Sequence, residues 1–337
     1  MSGNDDLLTM LSDQAGRLFG DLIDRELLVS IEAGERPAAL AEAVEAFGLA
    51  DALAITPEDG GLRFADAGAL FALFGYHAVP LPIGETMLAR CVLARAGIEA
   101  PAGAIGLANG DSASVGFAPE HLLLSRDGKV HLIPTDGLAA EAQASISRQP
   151  RALFDLTTVA PLAEAAWPNA LPDTATLGAM LRASQIAGAV GRVLTLSVEY
   201  ANVRQQFGRP IGRFQAVQQL LAKLAAEAAA ARSAADVAWA ALDAGQLGHA
   251  GAIAKIRAGE AARIAAAIAH QVHGAIGVTD EHMLHYFTRR LWEWRLDFGS
   301  DGHWAERLGR AAREAEGGLW QFLTTGCGAP QSAKETT

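Results

Sequence analysis

The feature that most constrains the fold is an alanine-rich region, from about residue 173 almost to the end, in which apolar residues recur every three or four positions. This spacing places apolar side chains on one face of an α-helix and predicts long amphipathic helices. The predicted helices are a first capped by Asp173 or Thr174, a second over about 214–243, a third over about 248–272 and a fourth within 301–322. Long helices joined by short turns indicate a four-helix bundle. Gly188 and Gly191 on the first helix allow close approach of a neighbour.

Two regions with different patterns of apolar residues precede this bundle. The segments "PAALAEAVEAFGLA" and "DAGALFALFGYHAV" have helical periodicity, whereas short apolar runs after about Pro101 are typical of β-strands. Asp127-Gly128 between two such runs is a hairpin signal. The sequence therefore predicts a mostly α protein, divided into an N-terminal helical domain (1–100), a small β domain (101–165), a C-terminal four-helix bundle (166–327) and a flexible polar tail (328–337).

Composition excludes several classes of protein. The formal net charge is -11, and the 27 basic residues are scattered, which argues against a nucleic-acid surface. Cys91 and Cys327 are the only cysteines, so neither a disulfide framework nor a cysteine zinc site is available. The N-terminus has an acidic start without an apolar core, and no apolar run reaches membrane-spanning length. We expect a cytoplasmic protein that binds neither nucleic acid nor membrane.

Histidine spacing raises the question of a metal site. His270 and His273, like His282 and His285, are three residues apart and can share a helix face. Each pair lacks an evident third ligand, so we expect no metal site.

The turn between the first two bundle helices, "VRQQFGRPIGRFQ", concentrates polar residues that packing does not require. Arg204, Arg209 and Arg213 lie in it, with Gln206 and Gln215 nearby. One interpretation is that the arginines are ordinary solvated cations. The other is that the turn binds an anionic ligand, since a guanidinium forms paired charge-assisted hydrogen bonds with phosphate.

The domain order and three motifs resemble the acyl-CoA dehydrogenase family, in which R-x-x-F-G, then F-Q or H-Q, then Q-x-x-G-G-x-G recur. Residues 204–208 match the first motif, Phe214-Gln215 the second and residues 271–277 ("QVHGAIG") the third, with Ala275 in place of the second glycine. The stretch 47–97 is also similar to the family's upstream passage. The resemblance implies the family's fold.

The resemblance also implies FAD as cofactor, bound by elements that reach across a dimer interface to the neighbouring subunit. Arg204 is the best candidate for gripping the pyrophosphate. Gln215 and Gln271 can hydrogen-bond ribose and adenine, and Gly274 leaves room for the ligand. The remaining motif positions that the resemblance assigns to the cofactor are Gln206, Phe207, Phe214, His273 and Ala275.

The family's catalytic base has no clear counterpart. Its usual glutamate belongs to an E-G-T segment, which this chain lacks. Counting from Gln271 without a gap puts Phe298 at that position, whereas a three-residue insertion puts Asp301 there. Asp301 is thus the candidate catalytic residue, but a turn or N-cap role for it stays open. Some members carry the base on the first bundle helix, where this chain has Gly178 and Ala179.

The resemblance implies a subunit of an FAD-dependent acyl-CoA dehydrogenase that forms a 2,3-enoyl-CoA from an acyl-CoA and passes electrons to an electron-transferring flavoprotein. Compact, diverged members in bacterial steroid side-chain catabolism pair with a conventional subunit, and this sequence is similar to them. We expect a homo- or heterotetramer, with a steroid side chain or another bulky thioester as a candidate substrate. Two alternatives stay open: a non-catalytic subunit that supplies cofactor contacts, and a flavin-dependent monooxygenase on the same fold.

Overall fold

The computed structural model describes residues 3–117, 119–315 and 317–325. Helices come first, then strands, then helices again, which confirms the predicted mostly α architecture. The predicted tail and Cys327 lie outside the described residues. Within those ranges, none of the helices combines the length and apolar character needed to cross a bilayer.

The N-terminal region is helical, as its periodicity predicts. Its helices are α1 (Gly3–Leu22), α2 (Arg25–Glu32), α3 (Ala38–Phe47), α4 (Phe64–Tyr76) and α5 (Ile83–Arg95). Helix α4 is apolar around most of its circumference and is correspondingly buried, with Phe71 and Phe74 in the core. It therefore serves as the hydrophobic centre of this region.

The middle region is a pair of small sheets. Its strands are β1 (Ile105–Leu107), β2 (Ser112–Gly116), β3 (His121–Arg126), β4 (Lys129–Pro134), β5 (Ala140–Gln143), β6 (Arg151–Asp155) and β7 (Ala163–Ala166). One sheet has the order β1-β3-β4-β7 and the other β2-β6-β5. Asp127 and Gly128 join β3 to β4 with φ of 50° and 69°, so the predicted hairpin turn is confirmed.

The C-terminal region contains the bundle. Its elements are α6 (Thr174–Val203), β8 (Gln205–Gln206), β9 (Arg209–Pro210), α7 (Gln215–Asp243), α8 (Ala250–His273), α9 (Leu284–Trp294), α10 (Asp301–Glu314) and α11 (Gly318–Thr325). Helices α6, α7 and α8 pack on one another, and α10 packs on α8. The Asp173 side chain accepts a hydrogen bond from the Thr176 N–H, so Asp173 is the predicted N-cap of α6.

Two features of the bundle correct the sequence prediction. The fourth predicted helix is two helices, because Ala315 adopts an extended conformation after α10 and α11 begins at Gly318 with φ of 72°. The four predicted helices also omit α9, which is short and packs against α6 and α8. It spans only 11 residues, so its periodic pattern extends over a shorter stretch than the patterns of the long bundle helices.

The N-terminal region and the bundle meet in a close helix crossing. A Cβ added to Gly188 on α6 would lie 1.7 Å from the carbonyl oxygen of Ala72 on α4, and one on Gly75 would lie 1.9 Å from that of Gln185. The predicted role of Gly188 in close approach is therefore confirmed. At Gly191 the nearest atom, on the Tyr76 ring, is 3.9 Å away. Because the contact at Gly188 is between backbones, side-chain rotation cannot relieve it.

We expect Gly188→Ala to destabilise the protein by roughly 1–3 kcal/mol, since the added methyl group must separate α4 from α6. Gly309→Ala is the matched control: Gly309 is an exposed residue of α10 with no atom within 4 Å of an added Cβ. There the substitution should stabilise by up to about 1 kcal/mol through helix propensity. Urea unfolding measures both, and equal effects would contradict the backbone contact.

Candidate functional site

The arginine-rich turn is an exposed β-hairpin at the end of α6. Arg204 directly follows that helix, with φ of -66° and ψ of 120°, and its N–H donates to the carbonyl of Tyr200. Phe207 lies at the tip with φ of 51° and is 91% exposed. Most of the ring is therefore accessible to another molecule.

Some of the hairpin's aromatic and cationic side chains have contact partners within the chain, and others have none among the described residues. The guanidinium of Arg209 lies 4.2 Å from the centre of the Phe214 ring, and Phe207 packs edge-on against that ring at 6.2 Å. Arg204 and Gln206 are exposed. Among the described residues, the Arg204 side chain has no ion-pair or hydrogen-bond partner, so its donors are available to a ligand.

The third motif lies at the end of α8 and in the 3-10 turn Gly274–Val278. Gln271, Gly274 and Ala275 are exposed, and Gly274 has φ of 62° with no atom within 4 Å of an added Cβ. His273 is only 3% exposed, and its Nδ1 donates to the carbonyl of Ala269. The structure therefore turns His273 into the protein, away from the surface that its motif neighbours share.

Stacked rings bring the first and third motifs to one end of the bundle. The Tyr200 ring stacks on the His273 ring with centroids 4.6 Å apart and an angle of 21° between planes. Tyr200 lies one helical turn before Arg204, and His273 lies two residues after Gln271. Sequence spacing alone does not reveal this contact.

The second motif lies beside the first. The N–H of Ile211 donates to the carbonyl of Arg204 at 2.8 Å, and Phe214 and Gln215 begin α7 directly afterwards. Gln215 is exposed, whereas Phe214 is half-buried beneath Arg209. We call the exposed polar and aromatic side chains at this end of the bundle the clamp: Arg204, Gln206, Phe207, Gln215 and Gln271.

The two positions at which sequence comparison looks for a base meet in space, and neither carries one. The Phe298 ring lies 2.3 Å from the position of a Cβ added to Gly178 on α6. The ring fills the space that a side chain at Gly178 would need. Neither residue can accept a proton, so this pair cannot act as a general base.

Asp301 is the first residue of α10, and Ser300 is the N-cap. Burial alone would raise the pKa of the Asp301 carboxyl, but an ion pair of 2.7 Å with Arg295 outweighs it and lowers that pKa. A carboxylate with a lowered pKa is a weak proton acceptor. The environment of Asp301 therefore favours a structural ion pair.

Next to Phe298 a buried chain of charged side chains crosses between the three regions of the fold. Arg182 on α6 binds Glu85 on α5 at 2.7 Å and Asp297 at 2.9 Å. Arg151 on β6 binds Asp297 at 2.7 Å and Glu293 on α9 at 2.8 Å. We call these five residues the ion ladder.

The ion ladder is the part of the site that the sequence pattern does not reveal. Glu293 is close in sequence to Arg289, Arg290 and Arg295, but its ion-pair partner is Arg151 in the β region. Burial alone would raise the pKa of Asp297, yet Arg182 and Arg151 outweigh it and hold that pKa below its ordinary value. Lys255 lies nearby and donates to the carbonyls of Trp294 and Arg295. Burial lowers the pKa of its ammonium group to about 7.

A cavity of about 320 Å³ lies between the β region and the turn after α9. Leu107, Ser114, Gln143, Arg151 and Phe298 are among its lining residues, and Asp301 is not. The volume is at the small end of the range for ligand pockets, about 300–1,000 Å³. Arg151 in its wall is already paired with carboxylates of this chain, so its guanidinium is not free to neutralise an anionic ligand there.

The histidine pairs do not form a metal centre among the residues that the structure describes, where no group of three or more ligand side chains is placed to hold an ion. His270 instead bonds Thr288 through Nε2 at 3.0 Å. His285 lies 3.8 Å from the Asp280 carboxylate.

Comparison with known proteins agrees with the motifs. A family model described as "Acyl-CoA dehydrogenase, C-terminal domain" matches residues 171–313. The chain is 34% identical over 248 residues to the acyl-CoA dehydrogenase IpdE2 of Mycobacterium tuberculosis, covering 72% of this chain and 76% of that protein.

Solved structures share the fold over nearly the whole chain. A variant of the Tcur3481–Tcur3483 steroid ACAD matches with a TM-score of 0.78 and 25% identity, covering 91% of this chain and 97% of that chain. The ChsE4–ChsE5 complex from Mycobacterium tuberculosis matches with a TM-score of 0.78 and 19% identity, covering 94% and 98%. These matches confirm the predicted fold class.

We expect Asp297→Asn to destabilise the protein by about 3–5 kcal/mol, because it leaves two buried guanidinium groups short of a counter-charge. Glu164→Gln is the control, since Glu164 forms an exposed pair with Lys129. Its loss should destabilise the protein far less than Asp297→Asn, because water screens an exposed ion pair. Chemical denaturation of the two variants beside the unchanged protein measures both values.

The stability difference between the unchanged protein and Asp297→Asn should depend on pH in a direction that the pKa shift of Asp297 determines. The folded pKa of Asp297 lies below its ordinary value of 3.8, so the stabilisation is present above that value and is lost as the pH falls through the folded pKa. The difference between the unchanged protein and Asp297→Asn should therefore shrink below pH 3.8. A difference that stays constant in this range would rule out the ion ladder.

Proposed function

Because the chain belongs to the acyl-CoA dehydrogenase family, we propose that it is the cofactor-contributing subunit of an FAD-dependent acyl-CoA dehydrogenase. In this assignment its clamp grips a cofactor seated mainly in a partner subunit, and the partner supplies the catalytic base. The observation that carries the proposal is the contrast between the two ends of the site. The clamp is exposed and has free donors, whereas the base positions Gly178 and Phe298 are packed against each other.

The clamp has the chemistry that a flavin dinucleotide requires. The free guanidinium of Arg204 can donate paired hydrogen bonds to pyrophosphate oxygens. The exposed amides of Gln215 and Gln271 can donate to and accept from ribose and adenine, and the open backbone at Gly274 admits close approach. When bound, FAD supplies the acceptor for the hydride that leaves the acyl chain. Because none of the clamp residues lines the cavity of about 320 Å³, they suit a cofactor held by another subunit.

The proton-transfer step is assigned to the partner. Phe298 provides no base, and Asp301 is held as a carboxylate by Arg295. This arrangement supports the non-catalytic subunit over a chain that works alone. The monooxygenase alternative needs flavin in the chain's own cavity, where the paired Arg151 lies, and none of the described residues favours it.

The partner and substrate are proposed from the related complexes. Both Tcur3481–Tcur3483 and ChsE4–ChsE5 are named as assemblies of two different chains, and the first is named as a steroid ACAD. We infer a heterotetramer with a second acyl-CoA dehydrogenase subunit, acting on a steroid side-chain thioester or another bulky acyl-CoA. An electron-transferring flavoprotein is the proposed electron acceptor.

We expect Arg204→Gln to weaken FAD binding by the assembled enzyme by roughly 10- to 100-fold, because it removes charge-assisted hydrogen bonds. Flavin titration followed by fluorescence gives the dissociation constant. Arg213→Gln is the matched control, since Arg213 is an exposed arginine of the same turn outside the clamp. Equal losses in the two variants would mean that the turn acts only through its general positive charge.

Asp301→Asn tests which subunit carries the base. In the assembled enzyme we expect turnover of the acyl-CoA to stay within about twofold, because proton abstraction does not use this carboxylate. Steady-state kinetics with an artificial electron acceptor measures it, and the flavin content is determined in parallel. A decrease of roughly 100-fold or more with full flavin content would identify Asp301 as the general base.

A further inference from the structure

A cluster of three aromatic rings joins the elements that carry the clamp. The His282 ring packs edge-on against His273 at 4.6 Å and against Tyr200 at 6.1 Å, in addition to the stack of Tyr200 on His273. Tyr200 belongs to α6 and His273 to α8, and His282 lies in the loop that leads into α9. We call these three residues the ring cluster.

Burial of His273 favours a neutral imidazole. Because the Ala269 carbonyl can only accept, Nδ1 at 2.8 Å carries the proton. The other ring nitrogen, Nε2, is buried and has no hydrogen-bond partner. A second proton would place a positive charge on a buried ring, and burial disfavours this charge more than the backbone groups of Ala269 and Leu196 favour it.

Protonation is also disfavoured at the two neighbouring imidazoles, His282 and His270. His282 accepts a hydrogen bond from the Leu284 N–H through Nδ1 at 3.1 Å, so protonation there would replace an acceptor with a donor. His270 uses Nε2 to bond Thr288, and its Nδ1 is buried without a partner. That Nδ1 lies 3.3 Å from the position of a Cβ on Gly277, so His270 packs directly on the 3-10 turn Gly274–Val278.

The surroundings disfavour a charge on these rings. Burial lowers the pKa of His273, His282 and His270, and the two other histidines lower that of His273 further. Tyr200 is the titratable group that faces His273 from α6. The Asp280 carboxylate lies toward His285 on α9 at 3.8 Å, and Arg289 of the same helix lowers the pKa of His285. From α2, Arg25 bonds the backbone carbonyl of Asp280.

We propose that the ring cluster positions the clamp by holding the end of α8 against the end of α6 only while its imidazoles are neutral. Protonation then releases the 3-10 turn and weakens cofactor binding. Since the folded pKa values lie below the ordinary 6.5, the stabilisation is complete above that value and is lost as the pH falls through the folded values. The cofactor half of this proposal rests on the proposed function. The positioning half is a property of this chain alone.

Hydrogen exchange on the full chain tests the positioning half without cofactor. Protection factors of the backbone amides of residues 271–278, corrected for the intrinsic effect of pH, should fall roughly tenfold or more between about pH 7.5 and pH 5, a change equivalent to one pKa unit. The double variant His273→Phe/His282→Asn should remove this fall. Phenylalanine keeps a ring on Tyr200, asparagine keeps an acceptor for Leu284, and neither titrates.

His303→Asn is the control, because His303 is exposed on α10 outside the ring cluster; it should show the same fall as the unchanged chain. Equal protection at the two pH values in the unchanged chain would overturn the proposal, as would an undiminished fall in the double variant. If the double variant is unfolded by circular dichroism, His282→Asn alone should halve the fall or more, and no reduction would overturn it.

Flavin titration of the assembled enzyme at the same two pH values tests the cofactor half. FAD affinity should fall at the lower pH in the unchanged protein and not in the double variant. If exchange behaves as expected while neither pH nor Arg204→Gln affects FAD binding, the clamp assignment fails and the positioning role of the ring cluster stands.

Discussion

The ion ladder is the interaction on which the rest of the architecture depends. Burying Arg182 and Arg151 is favourable only because carboxylates from other elements meet them on both sides. Those carboxylates come from α5, α9 and the turn after it, so the helical N-terminal region, the β region and the bundle cannot separate without leaving an unpaired buried charge. The ion ladder thus fixes the relative position of all three regions.

The same ion pairing determines which polar groups of the chain remain free to bind a ligand. Inside the molecule the guanidinium groups of Arg151 and Arg182 are already neutralised, and Phe298 lies against Gly178, so neither position offers a carboxylate. At the end of the bundle the reverse holds, since Arg204 and the amides around it face outward without partners among the described residues. Paired charges in the interior and unpaired groups in the clamp suit a subunit that contributes to the site of a neighbouring subunit.

The sequence predicts the elements whose signals are local. Periodicity reveals the long helices, Asp127-Gly128 the hairpin and Asp173 the start of α6, because each depends on residues within a few positions. The ion ladder joins residues far apart in the chain, and no local pattern records that Glu85 meets Arg182. The stacking of His273 on Tyr200 is equally non-local, so motif matching locates the motif residues but not the orientation of every side chain in them.

Phe207 has a consequence for how the isolated chain behaves. In the isolated chain this side chain is 91% exposed at the tip of a two-stranded hairpin. Other exposed apolar surfaces can therefore contact it. A neighbour that covers the ring, such as the partner subunit proposed above, would remove this contact surface, so we expect the isolated chain to self-associate more readily than the assembled one.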